Sequence, residues 1–255
     1  MKKIKTAFRK TRQKVYQLLS RYLGRKFTLK YESILIIAPH PDDEIFVCGG
    51  LITKAVQNNA DVHVAYMTSG NRAHSNCCSI GPKKVGIERK KIAVTVAEMM
   101  SADSINLYWV NCPDGKIPEQ KSPDFELVQK QIADIIEKIQ PNCVFCPHAR
   151  DSWRDHELTE KIVRVVLQKQ TRIIKLYYYC VWFWLNLPFR EGISLPWSNS
   201  RVLDIQDAFS RKQMAIKQYL EPLAPCGNPY SGKLPADFLM AFDWEKELYF
   251  EANIF

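Results

Sequence analysis

The sequence has no apolar run long enough to cross a lipid bilayer. A membrane-spanning helix needs about 20 consecutive apolar residues, and the most apolar stretch, "LYYYCVWFWLNL" (176–187), is shorter and rich in aromatic residues. That stretch predicts a buried strand instead. Internal repeats and low-complexity segments are also absent. What remains is a chain of 255 residues, 46% of them hydrophobic, which is sufficient for one sizeable core in a single α/β domain.

The eight cysteines follow no zinc-finger layout. Cys143 and Cys146 have Cys-x-x-Cys spacing, but they lie in an apolar, strand-like run where burial is the usual fate of a thiol. Cys77 and Cys78 are adjacent and therefore poorly suited to structural bridging. The chain also begins without the apolar segment of a secretory signal. Together these features predict a reducing, cytoplasmic environment.

Acidic residues are missing from the first 30 positions, where eleven Lys or Arg residues lie. The remaining residues hold 25 bases and 27 acids, so the formal net charge of +9 comes from this N-terminal arm. On a helical wheel the apolar side chains of the arm fall on one side and its bases elsewhere. This pattern predicts a basic amphipathic helix that ends near Gly24. Its apolar side consists of Ile4, Phe8, Val15, Leu18, Leu19 and Tyr22.

The arm has two interpretations. Residues 2–23 could lie on an anionic membrane surface, as basic amphipathic helices do, which would place the protein at the inner face of the membrane. They could equally dock their apolar side on the protein's own domain. Nucleic acid is a less favoured partner, because the excess charge does not continue into the body of the chain with interleaved aromatic residues. The sequence predicts no oligomeric state.

Apolar runs alternate with helix-like segments from residue 33 to about residue 184. Short runs that are apolar at nearly every position predict strands of a parallel sheet that is covered on both faces. The predicted strands are 34–38, 61–68, 105–110, 143–146 and 173–184, and the predicted helices are 44–58, 85–101, 123–139 and 155–169. Apart from a helix at 205–220, residues 188–255 predict an irregular C-terminal cap. The predicted fold is a Rossmann-like, three-layer α/β/α domain over residues 31–255, with a mostly parallel sheet, preceded by the arm at 1–30.

Two polar clusters follow predicted strands. Ligands of open parallel sheets bind beyond the carboxyl ends of the strands, and both "HPDDE" (40–44) and "PHARDSWRDHE" (147–157) lie there. Charged groups are costly to bury unless they are paired, hydrogen-bonded or bound to a metal. Two such clusters, distant in sequence but able to meet in space, favour a binding site over two solvated loops.

The two clusters offer metal ligands. His40 and Asp43 are spaced to converge on one ion, and His156 is the natural third ligand. Catalytic Zn²⁺ usually takes three protein ligands and keeps a fourth position open, although Fe²⁺ accepts similar ligands. Asp42, beside the metal, is placed to take a proton from the water that the ion activates. The alternative is a capped helix N-terminus, and Glu44 is expected simply to begin that helix, where the helix dipole favours an acid.

The motif "APHPDDE" after a first strand, followed by "GG", resembles the signature of the PIG-L/LmbE-like de-N-acetylases. The resemblance extends over about residues 33–159 and is weak after that. It implies a metal-dependent hydrolase that removes acetyl from an N-acetylglucosamine unit, or a similar amino sugar, on a larger acceptor. Carried onto this chain, it makes His40, Asp43 and His156 the metal ligands and Asp42 the general base.

The resemblance also implies roles for three residues outside the metal set. Asp155 in "RDHE" matches the residue that orients an imidazole from behind the metal. Arg89 lies where family members place an arginine facing the sugar, and Asp114 in "PDG" matches an aspartate that contacts the substrate. The alternatives are a solvated helix charge for Arg89 and a turn residue for Asp114.

One position departs from the family pattern. The histidine usually described as the electrophile or acid aligns with Trp153, which cannot donate a proton to a leaving amine and is assigned here to substrate binding. His148, at the same strand end, is the first candidate for a replacement acid, and His74 is a weaker one. Asp42 itself could also carry the proton from water to the amine.

The sequence thus predicts a zinc-dependent hydrolase of an acetamide on an amino sugar. A lipid-linked or cell-envelope glycan becomes the favoured acceptor if the arm binds a membrane. One rival is an amidase of the same scaffold with a different acyl group, and another is a degenerate homologue that binds sugar or a partner protein without turnover. A dinucleotide-binding protein is disfavoured, because the first strand is not followed by Gly-x-Gly-x-x-Gly.

Overall fold

The computed structural model describes residues 2–75, 77–101 and 105–252. Its strands are β1 (Arg25–Lys26), β2 (Ser33–Ala38), β3 (Asp61–Thr68), β4 (Ile105–Cys112), β5 (Cys143–Pro147), β6 (Lys175–Tyr179), β7 (Ser200–Asp204) and β8 (Lys246–Glu251). Its α-helices are α1 (Lys2–Leu23), α2 (Asp43–Gln57), α3 (Pro82–Met100), α4 (Asp124–Ile139), α5 (Arg154–Gln168), α6 (Phe183–Asn186), α7 (Phe189–Ile193), α8 (Phe209–Leu220) and α9 (Ala236–Leu239). The strands and helices predicted between residues 34 and 169 are all present, with small differences at their ends.

The strands form one sheet in the order β1-β7-β8-β6-β5-β2-β3-β4. From β6 to β4 neighbouring strands are parallel, whereas β8 is antiparallel to both β6 and β7. One buried apolar cluster packs α2, α3 and α8 on one face of the sheet, and a second packs α4 and α5 on the other. The predicted three-layer α/β/α fold with a mostly parallel sheet is confirmed.

The position of β2 explains how two distant polar clusters can meet. From β2 the chain proceeds to β3 and β4 on one side and then crosses to β5 on the other side, where Ile36 pairs with Phe145. The carboxyl ends of β2 and β5 therefore flank the point where the strand order reverses, which is where open α/β sheets bind ligands. Because both strands are buried along nearly their whole length, the residues that follow them are the first polar groups to reach this crevice.

The C-terminal third is more regular than the sequence predicts. β7 and β8 extend the sheet, whereas the sequence predicts only a helix and an irregular cap. Strand β8 is difficult to recognise in the sequence, because its second residue is Glu247 and an acid is unexpected in a buried strand. Glu247 is buried but fully bonded, since it accepts hydrogen bonds from Lys212 Nζ and from the backbone N–H groups of Gly50 and Leu51, each at 2.8 Å.

The predicted strand at 173–184 is wrong in its second half. β6 ends at Tyr179, and the chain then turns. The carboxylate of Asp151 accepts hydrogen bonds from the backbone N–H groups of residues 181–183 at 2.8 to 3.1 Å, so these groups are not available to a neighbouring strand. The turn carries Trp182 toward the polar clusters at the ends of β2 and β5.

Helix α1 docks through one side on the C-terminal part of the chain. Tyr16 is fully buried, and its ring centroid lies 5.4 Å from that of Phe183. Arg12 donates hydrogen bonds to the carbonyl oxygens of Trp184 and Leu187, each at 2.9 Å. After α1, β1 pairs with β7. The arm therefore packs on its own domain, as in the second interpretation, but the buried Arg12 and Tyr16 do not belong to the apolar side that the sequence predicts to dock.

Another part of the α1 surface stays exposed and carries apolar side chains. Phe8, Leu18, Tyr22 and Leu23 are each at least half exposed. The helix therefore docks with only part of its apolar surface, and contact of the remainder with a membrane stays a prediction. Among the residues that the structure describes, no helix combines the length and the apolar character needed to span a bilayer.

His148, the first candidate for a replacement acid, lies in an aromatic pocket just beyond β5. Its ring centroid is 5.2 to 5.7 Å from those of Tyr178, Phe183 and Phe250. Its Nδ1 accepts the backbone N–H of Arg150 at 3.0 Å. Burial lowers the pKa of His148 to about 4. A neutral, enclosed imidazole suits a packing role better than that of a general acid, whose pKa should lie near the working pH.

The burial of His148 predicts a loss of stability in acid. An unfolded histidine has a pKa of about 6.5, so below that pH the unfolded chain takes up a proton that the folded protein excludes until the pH reaches about 4. The free energy of unfolding should therefore fall by about 3 kcal/mol as the pH drops through this window. In urea titrations at several pH values, His148→Asn, whose amide oxygen can replace Nδ1 as acceptor, should lose this component. Equal pH dependence of the two proteins would contradict the assignment.

Candidate active site

Three predicted metal ligands come together at the carboxyl ends of β2 and β5. Asp43 Oδ2 lies 3.3 Å from His40 Nδ1 and 3.4 Å from His156 Nε2. One donor atom of each residue lies within 4.8 Å of the other two. His40 lies in the turn after β2, Asp43 begins α2, and His156 lies in the first turn of α5. The two polar clusters of the sequence thus meet in one place.

The arrangement of these donors fits a zinc ion. His156 is fully buried, and its Nε2 makes no hydrogen bond to any part of the chain that the structure describes. A buried imidazole nitrogen that faces a carboxylate without a hydrogen bond is costly unless something lies between them. Two imidazole nitrogens and one carboxylate oxygen form a ligand set of catalytic zinc, which leaves a fourth position open.

Asp151 holds His156 in place, and the sequence analysis does not identify it. Its Oδ2 lies 2.7 Å from His156 Nδ1, and its negative charge favours the tautomer with the proton on Nδ1, in which the lone pair of Nε2 faces Asp43. The Asp151 carboxylate is fully buried and also binds the N–H groups of residues 181–183. An acid that follows a buried strand a few residues before a candidate ligand is the only signal that the sequence offers for this role.

Two further carboxylates surround the second nitrogen of His40. Nε2 lies 3.3 Å from Asp155 Oδ2 and 3.3 Å from Asp114 Oδ1. Burial lowers the pKa of His40, but hydrogen bonds to the neighbouring carboxylates outweigh this effect and raise the pKa well above its ordinary value. The backbone N–H groups of Gly115 and Arg72 bond to Asp155 and Asp114 at 2.8 and 2.6 Å. The imidazole that Asp155 contacts is thus that of His40.

Asp42 has a strained backbone. Its φ is 138° and its ψ is −32°, a region that residues with a Cβ rarely adopt. The N–H of Asp42 donates to Glu44 Oε2 at 3.0 Å, and the hydroxyl of Tyr219 donates to Glu44 Oε1 at 2.6 Å. Burial raises the pKa of Glu44 to about 7. The sequence assigns Glu44 only to the start of a helix, whereas the structure shows that it also braces the backbone of Asp42.

Arg89 pairs with the side chain of Asp42. Its Nη2 lies 2.9 Å from Asp42 Oδ2. The guanidinium also donates to the carbonyl oxygens of Gly70 and Pro41, at 2.9 and 2.6 Å. Burial raises the pKa of Asp42 to about 6, although the positive charge of Arg89 opposes this rise. Arg89 is 4% exposed, and its contacts hold Asp42 and the two neighbouring loops in position.

A cavity of about 480 Å³ opens beside these groups. Six predicted site residues line it: His40, Asp42, Asp43, Arg89, Asp114 and Trp153. The ring of Trp153 is stacked on that of Trp182 with 4.9 Å between their centroids. Trp153 is 46% exposed, so this position presents an open aromatic surface to a ligand where the family pattern has a histidine.

Neither candidate for a replacement acid lies in the lining of the cavity. His148 is enclosed by aromatic rings beyond β5. His74 is buried, and its Nε2 lies 2.8 Å from the carbonyl oxygen of Pro229. Of the three candidates for the acid (His148, His74 and Asp42), Asp42 is the one that borders both the metal ligands and the cavity.

The fold is shared with proteins of different activities. The N,N'-diacetylchitobiose deacetylase of Pyrococcus horikoshii, complexed with its inhibitor MPG, matches 89% of this chain and 79% of its own, with 21% identity and a TM-score of 0.61. The 4-carboxy-2-hydroxymuconate hydratase of Pseudomonas putida KT2440 matches 73% of this chain and 78% of its own, with 21% identity and a TM-score of 0.57. Since a deacetylase and a hydratase share it, the fold does not decide the reaction.

Among curated proteins, a relative matches only a short segment. A Bacteroides thetaiotaomicron protein described as glucosamine-6-phosphate deaminase-like is 48% identical over 40 residues. These residues are 16% of this chain and 6% of that protein. The chain therefore spans a small fraction of the relative's length, and the match assigns no activity to it.

A protein-family model covers the part of the chain that carries the site. The model of the PIG-L family, described as GlcNAc-PI de-N-acetylase, matches residues 35–167, which is more than half of the chain. This segment runs from β2 through nearly all of α5 and includes His40, Asp43 and His156. The chain therefore belongs to the PIG-L family.

Proposed function

We propose that the protein is a zinc-dependent hydrolase that removes the acetyl group from an N-acetylglucosamine-type amino sugar on a larger acceptor. The observation that carries this proposal is the convergence of His40, Asp43 and His156 beside a cavity that is also lined by Asp42. Membership of the PIG-L family supports the reaction class. Amide hydrolysis also suits such a ligand set, since the carbonyl must be polarised before water can attack it.

In this proposal His40 Nδ1, Asp43 Oδ2 and His156 Nε2 hold the zinc ion. When bound, the ion supplies the Lewis acidity that polarises the amide carbonyl and lowers the pKa of the attacking water. Asp151 at 2.7 Å and Asp155 at 3.3 Å keep the two imidazoles in the tautomers that leave these nitrogens free to bind.

Asp42 accepts the proton of the attacking water and then passes it to the departing amine. Arg89 Nη2 occupies Oδ2 at 2.9 Å, so Oδ1 is the oxygen that carries the proton. The strained backbone of Asp42, held by Glu44, fixes the direction of this side chain. With one carboxylate acting first as base and then as acid, Trp153 in place of a histidine does not interrupt the reaction.

The cavity suits a sugar ring that carries an acetamide. Its volume of about 480 Å³ lies within the range of about 300–1,000 Å³ that is usual for small-ligand sites. Trp153 and Trp182 supply a stacked aromatic surface on which the apolar face of a sugar ring can pack. Asp114 lines the cavity and can accept hydrogen bonds from sugar hydroxyl groups, while Lys233 and Arg72 on the lining favour an acceptor that carries negative charge.

We further propose that the acceptor is lipid-linked or part of a cell-envelope precursor. Helix α1 combines exposed Phe8, Leu18, Tyr22 and Leu23 with many bases, and this combination binds anionic lipid surfaces. Contact through residues 2–23 would bring the cavity to a substrate held at the inner face of a membrane.

The protein should therefore sediment with vesicles that contain anionic lipid and not with neutral vesicles. Failure to bind either kind of vesicle would contradict this part of the proposal.

Replacing Asp42 by Asn removes the proton acceptor and keeps the shape of the side chain. We expect the rate of acetate release from a GlcNAc-bearing acceptor to fall by about 10²–10⁴-fold. The zinc content of the protein should not change, because Asp42 is not among the ligands. The measurement is acetate release by the zinc-loaded protein from a panel of GlcNAc-bearing acceptors, beside metal analysis of the same samples.

Asp134→Asn is the matched control for this substitution. Asp134 lies on α4, is exposed, and pairs with Lys130 on the surface, so its replacement should leave the rate unchanged. Acetate release that survives Asp42→Asn would remove the assignment of the base. If the zinc-loaded wild type releases acetate from none of the acceptors, a binding protein without turnover becomes the better explanation.

Asp151→Asn tests how His156 is oriented. The amide oxygen can still accept the backbone N–H groups of Val181 and Phe183, which both bond to Oδ1. An NH₂ group replaces Oδ2, so the charge that favours the proton on His156 Nδ1 is lost. We expect the zinc concentration that half-activates acetate release to rise by about 10–100-fold. Asp207→Asn is the control, because Asp207 is exposed and pairs with Lys54 away from the site. An unchanged zinc requirement in Asp151→Asn would show that Asp151 does not position the ligand.

A further inference from the structure

A second group of metal-binding side chains lies outside the proposed active site. His74, Cys77 and Cys78 come from the long loop after β3, and Cys226 comes from a turn after α8. One donor atom of each residue lies within 4.8 Å of the other three. The ligands of the proposed active site include no cysteine, so this cluster is chemically distinct from it.

The spacing of the four donor atoms is that of ligands around a tetrahedral ion. His74 Nδ1 lies 3.1 Å from Cys77 Sγ, 3.9 Å from Cys78 Sγ and 3.4 Å from Cys226 Sγ. Cys77 Sγ lies 3.9 Å from Cys78 Sγ and 3.5 Å from Cys226 Sγ. For tetrahedral zinc, bond lengths of about 2.3 Å to sulfur and about 2.1 Å to nitrogen place ligand atoms about 3.6 to 3.8 Å apart. The five distances scatter around this separation.

The histidine of the cluster is already oriented as a ligand. His74 is 2% exposed, and its Nε2 lies 2.8 Å from the carbonyl oxygen of Pro229. A carbonyl oxygen can only accept, so Nε2 carries the proton and the lone pair of Nδ1 points at the sulfur atoms. Histidines that bind metals make this second contact almost always. Asn228 Nδ2 also donates to Cys226 Sγ at 3.4 Å, which favours a thiolate there.

We propose that His74, Cys77, Cys78 and Cys226 bind one structural zinc ion in a Cys3His site. Four protein ligands complete the tetrahedral shell, so this ion has no open position for a substrate or for water. The sequence conceals such a site for two reasons. The first two sulfur ligands are adjacent rather than spaced as Cys-x-x-Cys, and the last ligand lies far along the chain.

The ion joins two segments that form one wall of the cavity. Residues 72, 73 and 75 precede the first two sulfur ligands, residues 231–234 follow Cys226, and both groups line the cavity. The two segments also touch directly, because a Cβ placed on Gly232 would lie 3.3 Å from the carbonyl oxygen of Ala73. The zinc ion thus fixes the relative position of two loops that meet the ligand. This role rests on the proposed function, whereas the metal site itself does not.

A disulfide is the chemical alternative for these cysteines. Cys77 Sγ and Cys226 Sγ are 3.5 Å apart, compared with about 2.05 Å in a disulfide. Forming that bond would remove two electrons and two protons, which requires an oxidant, and it would use neither His74 Nδ1 nor Cys78 Sγ. A single zinc ion uses all four donors and needs no change of oxidation state.

Cobalt substitution tests this site in the full-length chain. Co²⁺ bound by thiolates gives an intense charge-transfer band in the near ultraviolet, which a His and Asp ligand set does not give. We expect the reduced, cobalt-loaded wild type to show the band and both Cys77→Ser and Cys226→Ser to lose it. Each serine variant should also hold one zinc ion per chain fewer than the wild type. The control is Cys112→Ala, a buried cysteine at the end of β4, which should keep both properties.

His156→Ala separates this site from the proposed active site. This variant should keep the thiolate band, because His156 is not a ligand of the cysteine cluster. The test of the cysteine cluster therefore stays valid even if the proposed function is wrong. A wild-type protein without the band would overturn the proposal even if the serine variants do not fold. The number of free thiols in the denatured, unreduced protein gives an independent check. Eight free thiols, the number of cysteines in the sequence, are expected, and six would overturn the proposal in favour of a disulfide.

Discussion

The site depends on one buried carboxylate, that of Asp43. Its Oδ2 accepts the backbone N–H of His40 at 3.0 Å and lies 3.3 and 3.4 Å from the imidazoles of His40 and His156. Burial alone would raise the pKa of Asp43, but the neighbouring imidazoles of His156 and His40 outweigh burial and lower it. A carboxylate that stays ionised in the interior needs positive charge nearby. In the proposed function a zinc ion between the same three residues meets that need.

The other buried acids around the site also have specific partners, because an unpaired charge is costly to bury. Asp42 pairs with Arg89, Asp151 binds His156 and three backbone N–H groups, and Asp155 binds Gly115 N–H. These contacts join the loops after β2, β4 and β5 into one network. A change in any of these acids is therefore expected to alter the position of a ligand or base as well as the local charge.

The sequence predicts the parts of this structure whose signals are local. The apolar run before "HPDDE" predicts β2, and an ordinary alternation of strands and helices places His40 and His156 at the same edge of the sheet. The remaining features depend on contacts between distant segments. An acid such as Glu247 is unexpected in a buried strand, and its partner Lys212 lies far away in the sequence. The role of Asp151 likewise depends on its contacts with the turn at residues 181–183, which only the folded structure shows. His74, Cys77, Cys78 and Cys226 also come together only in the tertiary structure.

The central claim is that His40, Asp43 and His156 hold one metal ion between the ends of β2 and β5. A crystal structure of the zinc-loaded protein, with anomalous diffraction recorded on both sides of the zinc absorption edge, tests it most directly. The account predicts an anomalous peak about 2.0–2.2 Å from His40 Nδ1, Asp43 Oδ2 and His156 Nε2. A zinc-loaded crystal with no anomalous peak among these three atoms would contradict it.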